Sequence, residues 1–133
     1  MLGAKQAAAT LPVRNMQAAR SFYEGTLGLT PLPGMDVPGA VLYASGPSVV
    51  FVYESEYAGT NQATAATWAV GDDFDAVVAD LQKKGVSFEH YDDLPGTSRD
   101  GDVHTMMGEL KAVWFKDPDG NILNVGNAPA ELE

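Results

Sequence analysis

The chain repeats itself. Residues 11–29, LPVRNMQAARSFYEGTLGL, and residues 68–86, WAVGDDFDAVVADLQKKGV, align without a gap at an offset of 57. Val13 falls on Val70, Asn15 on Asp72, Ala19 on Ala76, Gly28 on Gly85 and Leu29 on Val86. Further on, AVLYASG (40–46), a Gly46–Pro47 turn and SVVFVY (48–53) parallel AVWFKD (112–117), a turn through Pro118 to Gly120 and NILNVG (121–126). A period of this kind means one supersecondary unit used twice, and it settles the architecture before any single element is assigned.

Each copy reads as strand, helix, then three strands. In the first, residues 7–13 are a β-rich run, and Asn15 caps a helix from Met16 to about Thr26, with Ala19, Phe22, Tyr23 and Leu27 at helical spacing. Gly28 closes that helix from the left-handed region. Strands over 30–35, 40–45 and 48–53 follow. In the second copy, 64–70 is the strand and Asp72 the expected cap. Phe74, Val77, Val78 and Leu81 form the apolar stripe of a helix ended by Lys83, Lys84 and Gly85. Strands are predicted over 87–91, 111–116 and 122–125, with KDPDGN (116–121) as a turn in which Pro118 fixes φ and Gly120 takes φ > 0. The fold class is α+β, two βαβββ modules in tandem, and the expectation is a single domain over 1–133 made of repeats at about 7–54 and 64–126.

Two segments stand outside the repeat. Residues 54–63, ESEYAGTNQA, read as a polar linker. Residues 92–110, DDLPGTSRDGDVHTMMGEL, are a long insertion, expected to be a lid because Val103, Met106, Met107 and Leu110 give it apolar anchors.

Composition removes several functional classes. At 133 residues the chain can bury a core without staples, and it has no cysteine, which excludes disulfides, thiol catalysis, iron–sulfur clusters and thiolate zinc sites. Eight Lys plus Arg against eighteen Asp plus Glu give a net charge of −10, which repels phosphate backbones and anionic lipid, so neither nucleic acid nor a membrane is an expected partner. No apolar run approaches the roughly 20 residues of a spanning helix, and MLGAKQAAA lacks the features of a secretion signal. A cytoplasmic location is expected.

The order SFYEGTLGL, DDFDAVVADLQKKGV, FKDPDGN across the doubled unit resembles the vicinal oxygen chelate superfamily, which holds glyoxalase I, extradiol dioxygenases, fosfomycin-modifying enzymes and bleomycin-resistance binding proteins. The resemblance implies curled mixed sheets around a cup, helices on the outer faces, and a homodimer. It also implies a divalent metal held by His or Glu on the first and last strands of each half. Carried onto this chain through the repeat, those positions are Ala8, Ala65, Phe51 and Asn124. Imidazole and carboxylate donors are what such a metal needs, typically three or more; none stands there. No metal, no cofactor and no catalytic residue is therefore expected.

If those positions face the cup, strand alternation adds Thr10, Pro12, Val49, Tyr53, Thr67, Ala69 and Ile122 to the same face, an apolar lining with small residues and flat rings. This composition suits an aromatic or cationic small organic ligand. The expected ligand-binding residues are Phe51, Tyr53, Thr67, His104, Met106, Trp114 and Asn124. Trp114 and Phe115 must point oppositely, and alternation alone leaves open which faces the ligand; Trp68 is expected in the core. His90 reads as a partly exposed strand residue and His104 as a loop residue, either exposed or facing the cup. The leading reading is a metal-free protein that sequesters an antibiotic or other natural product. The alternative is a lyase, isomerase or dioxygenase of the same superfamily, metal-free or using a displaced metal site around His104 with Glu54 or Glu109. A structural domain without a ligand would have a plugged cup.

Overall fold

The computed structural model describes residues 1–106 and 109–129, and for Met35 and Asp36 the backbone alone. Met107, one of the apolar anchors expected in the insertion, lies outside the described residues. The chain forms two compact units. The first is Met1–Ala65 together with Asp117–Asn121; the second is Ala66–Lys116 together with the chain from Ile122 onward.

In the first unit, β1 (Ala9–Val13), β2 (Thr30–Val37), β3 (Ala40–Ser45) and β4 (Ser48–Glu54) form a sheet of order β1-β4-β3-β2, with β1 parallel to β4 and the other pairs antiparallel. Residue alternation divides its two faces. Leu11, Val13, Val41, Tyr43, Val50 and Val52 are buried on one, joined in the core by Ala19 and Tyr23 of the helix. Each such aliphatic side chain contributes roughly 1.5–3 kcal/mol through removal from water. Phe51, Tyr53, Leu42 and Pro12 occupy the other face and are only half-buried.

The Asn15 cap is as expected: its side chain accepts the Ala18 amide at 3.0 Å. The helix itself differs from expectation. Only α1 (Met16–Arg20) is α-helical; Ser21–Thr26 widens into a π-helix, closed by Leu27 N–H to the Phe22 carbonyl, before Gly28 at φ 76° ends it. The π turn carries Tyr23 and Glu24, whose partners hold them in succession. Tyr23 donates to Asp117 at 2.7 Å, and Glu24 accepts from Tyr43 at 2.8 Å.

The second unit is a six-stranded sheet. β5 (Thr64–Ala69), β10 (Ile122–Gly126), β9 (Leu110–Lys116), β8 (Val103–Met106) and β7 (Thr97–Asp100) follow in that order, and the short β6 (Phe88–Glu89) also pairs with β9. β5, β10, β9 and β6 thus reproduce the order of β1, β4, β3 and β2. The helix α2 (Phe74–Lys83) buries Phe74, Val78 and Leu81, and Gly85 at φ 85° ends it, with Val86 N–H reaching back to the Leu81 carbonyl. The expected Asp72 cap is not what starts it. Gly71–Asp73 make a 3-10 turn, and Asp73, the residue before the helix, makes no side-chain cap hydrogen bond.

The insertion also departs from expectation. In place of a lid loop, residues 97–106 form a β-hairpin whose second strand lies against β9, with Met106 opposite Leu110 and His104 opposite Ala112. Its two-residue loop is Gly101–Asp102, and Gly101 at φ 61° supplies the left-handed conformation such loops need. β9 accommodates both partners on one edge by dividing its length, β6 against Trp114 and Phe115, β8 against 110–112.

A further arrangement lies wholly within the first unit. The Asp117–Asn121 turn, though it joins β9 to β10, packs in the first unit through a buried carboxylate. Asp117 Oδ2 accepts from Tyr23 (2.7 Å) and the Asn121 side chain (2.8 Å); Oδ1 accepts from the amides of Asp119 (3.0 Å) and Asn121 (2.8 Å). The Asn121 amide group also reaches the Pro12 carbonyl of β1 at 2.7 Å. Gly59 of the linker sits over this turn at φ 75°, where a Cβ would collide with the Asp119 carbonyl.

Candidate functional site

The expected ligand-binding residues fall into two sets. In the first unit, Phe51 and Tyr53 are adjacent on one face of β4, their rings nearly parallel at 10° with centroids 5.8 Å apart. Thr10 and Leu42 flank Phe51 in register, and Pro12 and Ala40 flank Tyr53. The surface is apolar, flat and half-exposed, because the opposite face of the same strands took the large aliphatic residues.

In the second unit, register puts His104, Met106, Trp114 and Asn124 on one face: His104 pairs with Ala112, Trp114 with Asn124, Met106 with Leu110. The choice between Trp114 and Phe115 is thereby made. Phe115 is fully buried, edge-on to Phe88 at 6.1 Å, whereas Trp114 is half-buried on the opposite side. Thr67 is exposed on β5, and Trp68 is half-buried rather than enclosed. Asn124 is buried and its amide nitrogen donates to the Val113 carbonyl at 3.1 Å.

His104 is a correction to the sequence reading. It is not an exposed loop residue; it lies on β8 with 0% exposure. Its ring meets Trp114 edge-to-face at 4.9 Å and Tyr91 at 6.2 Å, while Tyr91 meets Trp114 at 5.6 Å. Tyr91 is the member of this cluster that sequence reasoning missed; its only signal was its place beside His90 at the end of a predicted strand. Three consecutive residues staple this segment to the hairpin. His90 bonds Asp102 at 2.8 Å, the Tyr91 amide donates to His104 Nε2 at 2.9 Å, and Asp92 takes Arg99 in two bonds of 2.7 and 3.1 Å. His90 is partly exposed, as expected.

The electrostatics follow from this geometry. Since Nε2 accepts a backbone N–H, the neutral imidazole carries its proton on Nδ1. Burial pushes the His104 pKa down, with Arg99 and His90 adding to the shift against a weaker opposing pull from Asp92 and the Ala112 backbone. Burial, and then Glu89, pushes the Tyr91 phenol up. Arg99 holds the Asp92 carboxyl below its usual range. His104 is accordingly a neutral hydrogen-bond donor. It has no free lone pair with which to act as a base.

The metal positions implied by the resemblance can be tested on the residues present. Ala8 precedes β1, Ala65 lies on β5, Phe51 on β4 and Asn124 on β10. Methyl and phenyl groups donate nothing, and the Asn124 amide offers at most one oxygen, so this set does not fit a divalent ion, which needs about three or more donors. Among the described residues there is no group of three or more His, Cys, Asp or Glu placed to hold a metal ion. No helix is long and apolar enough to cross a membrane among those residues.

A repeated strand-helix-three-strand unit, with aromatic side chains on the half-exposed sheet faces, defines a protein of the paired βαβββ class. Residues 5–125 match the family model described as the Glyoxalase/Bleomycin resistance protein/Dioxygenase superfamily, and the chain belongs to that superfamily. Among solved structures it is similar to a lactoylglutathione lyase from Agrobacterium tumefaciens (TM-score 0.69, 16% identity, 92% of each chain covered). It is also similar to a glyoxalase/bleomycin resistance protein from Catenulispora acidiphila (0.67, 23%, 93% of this chain and 98% of that one). A third is the fosfomycin resistance protein FosX from Mesorhizobium loti (0.64, 13%, 93% and 92%). At these identities the likeness is one of fold. No curated protein matches the chain.

Proposed function

We propose that this protein binds and sequesters a planar organic molecule, an antibiotic or other natural product, without a metal, and that it does so as a cytoplasmic homodimer. The observation that carries the reading is the donor set: Ala8, Ala65, Phe51 and Asn124 stand where a metal-dependent relative would place imidazole and carboxylate. Two further features support it. The half-exposed sheet faces carry flat rings, Phe51 and Tyr53 on one and Trp114 on the other. His104, the one buried histidine, is arranged to donate a hydrogen bond rather than to remove a proton. A net charge of −10 favours a ligand with a cationic group. The similar solved structures include a fosfomycin resistance protein, and resistance, here by binding, is the role we assign.

The test is metal content by plasma mass spectrometry on protein purified without chelator, followed by readdition of each divalent ion, with Trp fluorescence titrations of planar cationic compounds alongside. Metal far below one equivalent, no uptake on readdition and saturable fluorescence change are expected. Stoichiometric metal surviving dialysis would overturn the proposal.

A further inference from the structure

The second unit holds two buried polar atoms that make no hydrogen bond of ordinary length among the described residues, the Ala112 backbone exerting only a weak pull on His104. Tyr91 Oη and His104 Nδ1 are out of contact with solvent and have no hydrogen-bond partner among the described residues. Buried polar groups are ordinarily paired, so an orphan of this kind calls for a cause. Here the two orphans sit on neighbouring rings of one cluster, with Trp114 edge-on to both. They also present the same chemistry. Nδ1 carries the imidazole proton, because Nε2 is occupied by the Tyr91 amide, and the phenol is a donor as well.

Two donors on neighbouring rings can share one acceptor, and the charges decide which kind. The cations that share this face by register, Arg99 and Lys116, are already matched, by Asp92 at 2.7 Å and by Glu89 at 3.5 Å. His104 itself is neutral. A carboxylate would therefore enter with no cation to meet it, beside Glu89 and Asp92, whereas a neutral carbonyl oxygen would gain both hydrogen bonds and pay no charge penalty.

Resting on the binding reading above, we infer that Tyr91 Oη and His104 Nδ1 form the polar anchor of the ligand site, taking the neutral carbonyl oxygen of a planar molecule whose ring lies along Trp114. Tyr91 and Trp114 are half-buried, so the approach runs past their outer edges.

Acridone, a planar tricycle with a ring carbonyl, and anthracene, a planar tricycle of the same size with no hydrogen-bond acceptor, separate the possibilities. Both are titrated into wild type and Tyr91→Phe, read by the Trp114 and His104 ring resonances and by thermal unfolding without ligand. The expected result is acridone binding at least about tenfold tighter than anthracene to wild type. In Tyr91→Phe that preference is lost while anthracene affinity stands, and the melting temperature rises because an unpaired hydroxyl has gone. Equal affinities in wild type would overturn the anchor and leave the binding reading intact. A lowered melting temperature in Tyr91→Phe, the mark of a hydroxyl satisfied by internal water, would overturn the anchor as well. No response of Trp114 or His104 to either compound would overturn both.

Discussion

Replacing Asp117 by Asn changes one atom and should cost the protein about 2–3 kcal/mol. The carboxylate receives four donors: two backbone amides at Oδ1, and the Tyr23 hydroxyl and the Asn121 side chain at Oδ2. An amide NH2 at the Oδ1 position would oppose two N–H groups fixed by the turn, so the new group must take the Oδ2 position. There Tyr23 can turn its hydroxyl to accept, but the Asn121 NH2 cannot, and it is already committed to the Pro12 carbonyl at 2.7 Å. One bond to a charged acceptor is lost, at roughly 1.5–3 kcal/mol, and the survivors fall to neutral strength. Part is returned because a buried charge no longer needs desolvating. Urea unfolding of wild type and Asp117→Asn, with an unchanged slope, measures the difference. The companion Tyr23→Phe, which leaves the carboxylate with three donors, should cost less, about 1.5–2 kcal/mol. A loss under about 0.5 kcal/mol for Asp117→Asn would refute the claim that this carboxylate is the hub.

Three other outcomes follow from the same structure. Gly59→Ala puts a Cβ against the Asp119 carbonyl at a positive φ and should destabilise by about 2 kcal/mol or more by thermal unfolding, whereas Gly46→Ala, with open space around it, should cost only about 1–2 kcal/mol of backbone strain; equal losses would refute the contact. The folded pKa of His104 is depressed, so the unfolded chain takes up this proton first as pH falls. Stability is full above the ordinary histidine value of about 6.5 and declines below it toward the folded value, by at most about 1.4 kcal/mol per pH unit. His104→Gln should flatten that part of the profile, and an unaltered slope would count against a neutral buried imidazole. Phe51→Ala should weaken ligand binding by about 1–3 kcal/mol if the ring lies against the ligand, measured by calorimetry on folded variant; unchanged affinity would remove the β4 face from the site.

What the sequence disclosed and what it withheld divide along a physical line. The repeat made the sequence of strands and helices along the chain legible, because Asn15, Gly28, Gly85 and the apolar stripes are local signals with local causes. β3 falls at 40–45 as read from the repeat. The π-helix was not legible, since Ser21–Thr26 has ordinary helical composition. Its two key side chains are held by partners distant in sequence, Tyr23 by Asp117 and Glu24 by Tyr43. Nor was the start of α2, where Asp72 has the right residue type in a 3-10 turn. The hairpin in the insertion did leave a trace, Gly101–Asp102 between two short runs, but it was outweighed by the polar composition of the segment. That error propagated to His104, whose burial depends on β9 accepting a second partner. Trp114 against Phe115 was undecidable for a simpler reason: alternation gives relative orientation, and only a registered neighbour such as Asn124 gives the absolute one.

The Asp117–Asn121 turn means that the boundary between sequence repeats is not a boundary between cooperative bodies. Anyone building a chimera at the linker, exchanging the second repeat for that of a relative, would carry away the carboxylate that Tyr23 depends on and the side chain that ties β1. The lesion would then surface in the half left untouched. A workable exchange keeps residues 117–121 with the first repeat and cuts the donor sequence on both sides of them, so the ancestral duplication can be read in this chain but no longer undone by a single cut.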